Sequence, residues 1–136
     1  MLLHCEGNVM RPAPLLAVLA LAAATPAMAQ MPQTVEVHLV SFKFTPATIN
    51  LVHGQSYVLK LVNDSGSGHS FGAKDFFTAA TVAAPDRALI DKGAIEVPGG
   101  ETRLLRFTAP AAGSYRLKCT HTLHGAMGMR GQIIVR

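Results

Sequence analysis

The sequence has 136 residues, a formal charge of +4, 49% apolar side chains and 15% charged ones. That balance suits one domain around one core and excludes a wholly disordered chain. No apolar run reaches the roughly 18 residues of a membrane-spanning helix, two cysteines are too few for a disulfide scaffold, and no basic run with interleaved aromatics points to nucleic acid.

From Met10 the chain reads as a secretory signal. Arg11 supplies positive charge, Leu15 to Ala24 is the apolar core, and Ala27-Met28-Ala29 is a small-x-small cleavage site before Gln30. Glu6 suits the region before such a core poorly, so Met10 is the expected true start. The expected organisation is a signal peptide over 1–29 and a single domain over 30–136, periplasmic or otherwise exported, with no membrane span after cleavage. Loss of the signal removes Arg11 and Glu6 and leaves the charge at +4. The remaining basic residues are scattered along the chain, among them Lys43, Lys60, Lys74, Arg103, Arg106, Arg116, Lys118 and Arg130. Cys5 also leaves, so the exported chain keeps one cysteine, Cys119. A lone thiol in an oxidising compartment requires burial, an intermolecular partner or a metal.

Beyond Gln33 the pattern alternates. Val35, Val37 and Leu39 share one strand face, with Glu36 and His38 on the other. A turn at His53-Gly54-Gln55 leads into a strand over 56–62. After Asn63 the alternation lapses until Leu89, with loop signals at Ser65-Gly66-Ser67-Gly68 and a short helical turn near 74–80. Strands over 94–97 and 102–107 flank Pro98-Gly99-Gly100-Glu101, which reads as a hairpin connection. A strand over 114–119 follows the turn at Pro110 to Gly113, and one over 132–135 closes the chain. Many short strands in about a hundred residues predict an all-β, two-sheet sandwich. His38 and His53 are expected in solvent, Phe76-Phe77 in the packing, and Tyr115 as a sandwich-corner tyrosine.

Alternation through 114–119 puts Tyr115, Leu117 and Cys119 on one face and Arg116 and Lys118 on the other. The charged pair takes the water side, so the thiol points inward at the end of its strand. The loop that follows carries His121, His124, Met127 and Met129, so a thiol, two imidazoles and two thioethers fall within eleven residues. Upstream, His69 follows the glycine-rich turn 50 residues before Cys119. Soft and borderline donors of this kind suit copper, and a His-Cys-His set with a weak axial Met is the blue-copper geometry.

Cys119, four residues, His124, four residues and Met129, followed by Gly131-Gln132-Ile133-Ile134-Val135, resembles the C-terminal signature of the cupredoxins. The spacing is most similar to the rusticyanin and auracyanin branch, and His124-Gly125-Ala126-Met127-Gly128-Met129 resembles pseudoazurin. His69-Ser70-Phe71 after Asn63 resembles the family's first-histidine motif. The resemblance implies a Greek-key β-sandwich with one copper ion at one end, held by His69, Cys119, His124 and Met129. It also implies one-electron transfer between redox partner proteins, which the basic charge suggests are acidic where they dock. His121 inside the loop and Met127 depart from the pattern as additional donors, and Ser70 is placed to tune the cysteine sulfur. The alternative function is periplasmic copper handling, as a chaperone, storage or homeostasis protein. No Ser/His/Asp arrangement, phosphate loop or carboxylate pair indicates an enzyme.

Overall fold

Strand β4 (Ser56–Asn63) buries every second residue: Tyr57, Leu59, Leu61 and Asn63 face inward while their neighbours are half-exposed. This period of two recurs through the chain. The computed structural model describes residues 30–124 and 126–136; the expected signal over 1–29 and Gly125 lie outside the described residues.

The other elements, in order, are β1 (Gln33–Val40), β2 (Lys43–Thr45), β3 (Thr48–Leu51), β5 (His69–Gly72), α1 (Lys74–Ala79), β6 (Thr81–Val82), a 3-10 turn (Ala84–Leu89), β7 (Ile90–Asp91), β8 (Ala94–Val97), β9 (Thr102–Thr108), β10 (Gly113–Lys118) and β11 (Arg130–Val135). They form two sheets, ordered β2-β1-β4-β9-β6 and β3-β11-β10-β5-β8-β7. Among the described residues the fold is an all-β sandwich with one short α-helix. Among the described residues no helix is long and apolar enough to cross a membrane.

The two inner faces meet in a core of Val, Leu, Ile and Phe side chains. Phe76 and Phe77 of α1 enter it, Phe76 edge-on against Phe107 at 5.4 Å and Tyr115 at 5.6 Å, and Phe77 tilted at 56° against Phe71 at 6.1 Å. Burying such a ring stabilises the fold by about 1.5–3 kcal/mol, which is how a six-residue helix keeps its place. A gap between the sheets, lined by Val35, Leu59, Phe71, Phe107 and Ile133 among others, holds only about 10 Å³, room for about one water and not for a ligand. Tyr115 donates its hydroxyl to the Ala111 carbonyl at 2.7 Å, closing the turn that leads into β10.

Two expectations need correction. Pro98 to Glu101 is not a hairpin connection, because β8 pairs β5 and β7 in one sheet whereas β9 pairs β4 and β6 in the other. The segment is a crossover wedged against the β4–β5 loop. A Cβ on Gly99 would stand 2.7 Å from the Gly66 backbone, and the Gly100 N–H bonds back to the Asn63 carbonyl. The lapse of alternation after Asn63 also hid two strands, β5 and the two-residue β6. β5 is buried at all four positions, so it shows no polar–apolar alternation to read.

Candidate metal centre

Three pieces of backbone converge at one end of the sandwich. β5 begins at His69, and β10 runs antiparallel beside it with Lys118 opposite Gly72. A Cβ on Gly72 would lie 2.7 Å from both the Lys118 carbonyl oxygen and Thr120 Cγ2, so glycine permits this approach. Past Lys118 the chain continues alongside β5. The Thr120 N–H donates to Ser70 Oγ at 2.8 Å, and the Ser70 N–H points at Cys119 Sγ at 3.4 Å. The third piece is the loop joining β10 to β11. It is closed by backbone bonds from the Cys119 N–H to the Met129 carbonyl at 3.1 Å and from the Met129 N–H to the His124 carbonyl at 3.0 Å.

Strand alternation turns Cys119 inward, as expected of its place after Leu117, and the thiol is buried. His69 Nδ1 and His124 Nδ1 stand 3.2 Å apart, and His124 Nδ1 is 3.5 Å from Cys119 Sγ. The three donor atoms all lie within 4.8 Å of one another. Donors bound at 2.0–2.3 Å to one ion stand roughly 3.3–3.8 Å apart, close to the 3.2 and 3.5 Å separations of His124 Nδ1 from His69 Nδ1 and Cys119 Sγ. A proton between two of these atoms makes a hydrogen bond, and a cation bound there takes the place of that proton.

The protonation chemistry agrees. Burial pushes the His69 pKa down, and the neighbouring His124 and His121 push it further, against a smaller opposing pull from Glu96. The neutral imidazole favoured in this way is the form that binds metals. His69 Nε2 is buried with no partner among the described residues. A ring that carries its proton on Nε2 leaves the Nδ1 lone pair directed at the other two donors.

Of the remaining expected residues, Met129 is fully buried, whereas Met127 is 60% exposed. Ser70 Oγ lies 3.8 Å from the cysteine sulfur and 2.7 Å from Thr120 Oγ1, so it braces the strand pair as well as facing the thiol. His121 is not among the three clustered donors. Its Nε2 is 2.9 Å from both carboxylate oxygens of Glu96, and its ring stacks on His124 with centroids 5.2 Å apart. His38 pairs with Glu36 and Asp64, and His53 bonds the Pro110 carbonyl, both on the exposed surface.

Sequence reasoning missed three contributors. Phe42, in the turn between β1 and β2 with φ of 60°, sets its ring edge-on to His124 at 5.2 Å and is 37% exposed. Glu96 holds His121 from the neighbouring strand β8. Asn63 takes the last inward position of β4. Its amide donates to the Ser67 and Val97 carbonyls while its oxygen accepts from the Ser65 N–H and hydroxyl. That network shapes the loop delivering His69. An Asn at a strand end before Ser-Gly-Ser-Gly is a local turn signal for it; for Phe42 and Glu96 no local signal exists.

The family described as Cupredoxin-like domain matches residues 13–135. No curated protein matches the chain. Among solved structures, auracyanin B is 27% identical, with 80% of this chain and 93% of that one aligned at a TM-score of 0.57. Auracyanin A of the green thermophilic photosynthetic bacterium Chloroflexus aurantiacus, described as a "blue" copper protein, is 23% identical over 78% of this chain and all (100%) of its own, at 0.56. The McoA multicopper oxidase of the hyperthermophile Aquifex aeolicus is 16% identical over 85% of this chain and 32% of that chain, at 0.60. The last two likenesses speak to fold alone.

Proposed function

The chain belongs to the cupredoxin-like family, and from that premise we propose that it is an exported, periplasmic electron carrier with one type 1 (blue) copper ion. In this reading His69, Cys119 and His124 are the strong ligands and Met129 is the weak axial donor. The observation that carries it is the meeting of two imidazole Nδ1 atoms and one thiol sulfur within 4.8 Å, from segments 50 residues apart in the chain. A thiolate, a thioether and two imidazoles suit copper. Zinc would use the same Cys and His and leave Met129 without a role.

Copper held by these residues would supply a one-electron couple, tuned by the Met129 thioether and by the surroundings of the sulfur. The chain's own part is to hold its donors still. His69 and Cys119 are fixed by the β5–β10 pair and its Ser70–Thr120 bonds, so little needs to move between oxidation states. The Ser70 N–H offers a hydrogen bond to the sulfur, which stabilises its negative charge. His124 is half-exposed, flanked by exposed Phe42, Leu123, Ala126 and Met127. That apolar rim is the proposed exit for the electron.

The carrier reading is favoured over copper handling because the two extra donors are not gathered at the site. His121 is held by Glu96, and Met127 faces solvent. It is favoured over catalysis because this chain spans nearly the whole of the auracyanins but 32% of the oxidase, whose fold it matches as one part. The test is the absorption and electron-spin spectrum of the Cu(II)-loaded protein. An intense visible thiolate-to-copper band with narrow hyperfine splitting is expected, and it disappears in Cys119→Ser. A colourless protein with broad splitting overturns the proposal.

A further inference from the structure

A second surface feature lies beside β10. An open cleft of about 590 Å³ is lined from α1, the β7–β8 turn, β10 and β11, and His124 and Phe42 are not part of it. Its walls carry Lys74, Lys92, Arg116, Lys118 and Arg130 against one carboxylate, Asp75. These cations come from four separate stretches of chain, so the sequence shows them as scattered and only folding gathers them. Outside the cleft, Lys60 pairs with Glu36, Arg103 with Glu101 and Arg106 with Asp86. Among the described residues, no ion pair engages Lys74, Lys92, Arg116 or Lys118.

Lys74, Lys92, Arg116 and Lys118 across a concave wall with one carboxylate focus a positive potential that steers acidic partners and accelerates encounter. The lining offers no aromatic side chain on which a base would stack, which disfavours single-stranded nucleic acid. The lysines and arginines are all exposed. A small anion would stay hydrated there, whereas carboxylates spaced over a protein surface engage several cations at once. The cleft also adjoins the candidate centre. Cys119 points inward between Lys118 and Thr120, both of which line the cleft.

We infer that this cleft is the docking surface for an acidic protein partner, separate from the apolar rim around His124. The inference rests on the electron-carrier reading for what such a partner does, but not for where it binds.

The probe is poly-L-glutamate, titrated at low ionic strength into the 15N-labelled protein loaded with diamagnetic Cu(I), and again into the metal-free protein. Amide shifts should concentrate at 74–75, 92–93 and 116–120, and binding should fade at physiological salt. The double variant Lys92→Glu/Lys118→Glu should bind at least tenfold more weakly with an unchanged melting temperature. Lys43→Glu, next to Phe42, should bind as the wild type does. Shifts centred on 121–127, or undiminished binding by the double variant, overturn the proposal. Inorganic phosphate saturating the same residues as tightly would make the cleft a small-anion site and overturn it equally. Because the metal-free titration needs no copper, a failed copper spectrum and a failed titration are separate results.

Discussion

Met127 and Met129 are two residues apart on one loop, and their environments are opposite. Met129 is fully buried next to β11, held by backbone bonds to His124 and Cys119, whereas Met127 is on the surface. A weak axial donor must be held by packing rather than by its own bond strength, which is the ground for proposing Met129 over Met127. Met129→Leu should keep the visible band and raise the reduction potential, because removing a thioether costs Cu(II) more than Cu(I). A tenfold bias between the two states is about 59 mV for one electron, and voltammetry on a protein film resolves it. Met127→Leu should leave the potential where it was. The reverse pattern would make Met127 the axial donor.

At the level of elements, the β5–β10 contact decides whether the donors meet. It is a short pairing, with Gly72 opposite Lys118 and the Ser70–Thr120 bonds just beyond. Gly72→Ala puts a methyl against a backbone carbonyl that cannot swing aside. Overpacking of this kind costs about 1–3 kcal/mol, and thermal melting of the metal-free protein should drop by several degrees per kcal/mol. Copper loss to a chelator should quicken in the same variant, because Ser70 and Cys119 are pushed apart. Gly66→Ala is the control. Its added Cβ meets nothing within 4 Å, so neither quantity should change. A Gly72→Ala protein with wild-type melting and metal retention would mean that the strand pair is not what sets the donor spacing.

For the whole molecule, the acid limb of stability has an identifiable source. Asp86 in the 3-10 turn accepts bonds from the Arg106 backbone N–H, Nε and Nη2, all at 2.8 Å, tying that turn to β9. The Arg106 guanidinium holds the Asp86 carboxyl below its usual 3.8, at about 2. A depressed folded-state pKa contributes stability that is complete above the unfolded value and is lost as pH falls through the folded one. Stability should therefore decline between pH of about 4 and about 2. Asp86→Asn should flatten that decline and cost on the order of 1 kcal/mol at neutral pH, the low end for bonds to a charge because the Arg106 side chain is 57% exposed. Denaturant unfolding across that pH range measures both effects; an unchanged acid limb in the variant would assign it to other carboxylates.

Much of this protein is written locally. Period-two alternation marks β1, β4, β9 and β10, because a sheet with one buried face imposes that pattern on each strand by itself. The same alternation turns Cys119 inward, and Cys119, His124 and Met129 sit within one loop where chain length limits how far these side chains can separate. The tertiary structure decided the rest. Which sheet β8 and β9 join, how His69 comes to face Cys119 from 50 residues away, and which methionine is buried all depend on which strands pair. So does the gathering of scattered lysines and arginines into one cleft. Strand pairing is a contest among distant segments for the same core, and its energy depends on contacts that no single stretch of sequence contains.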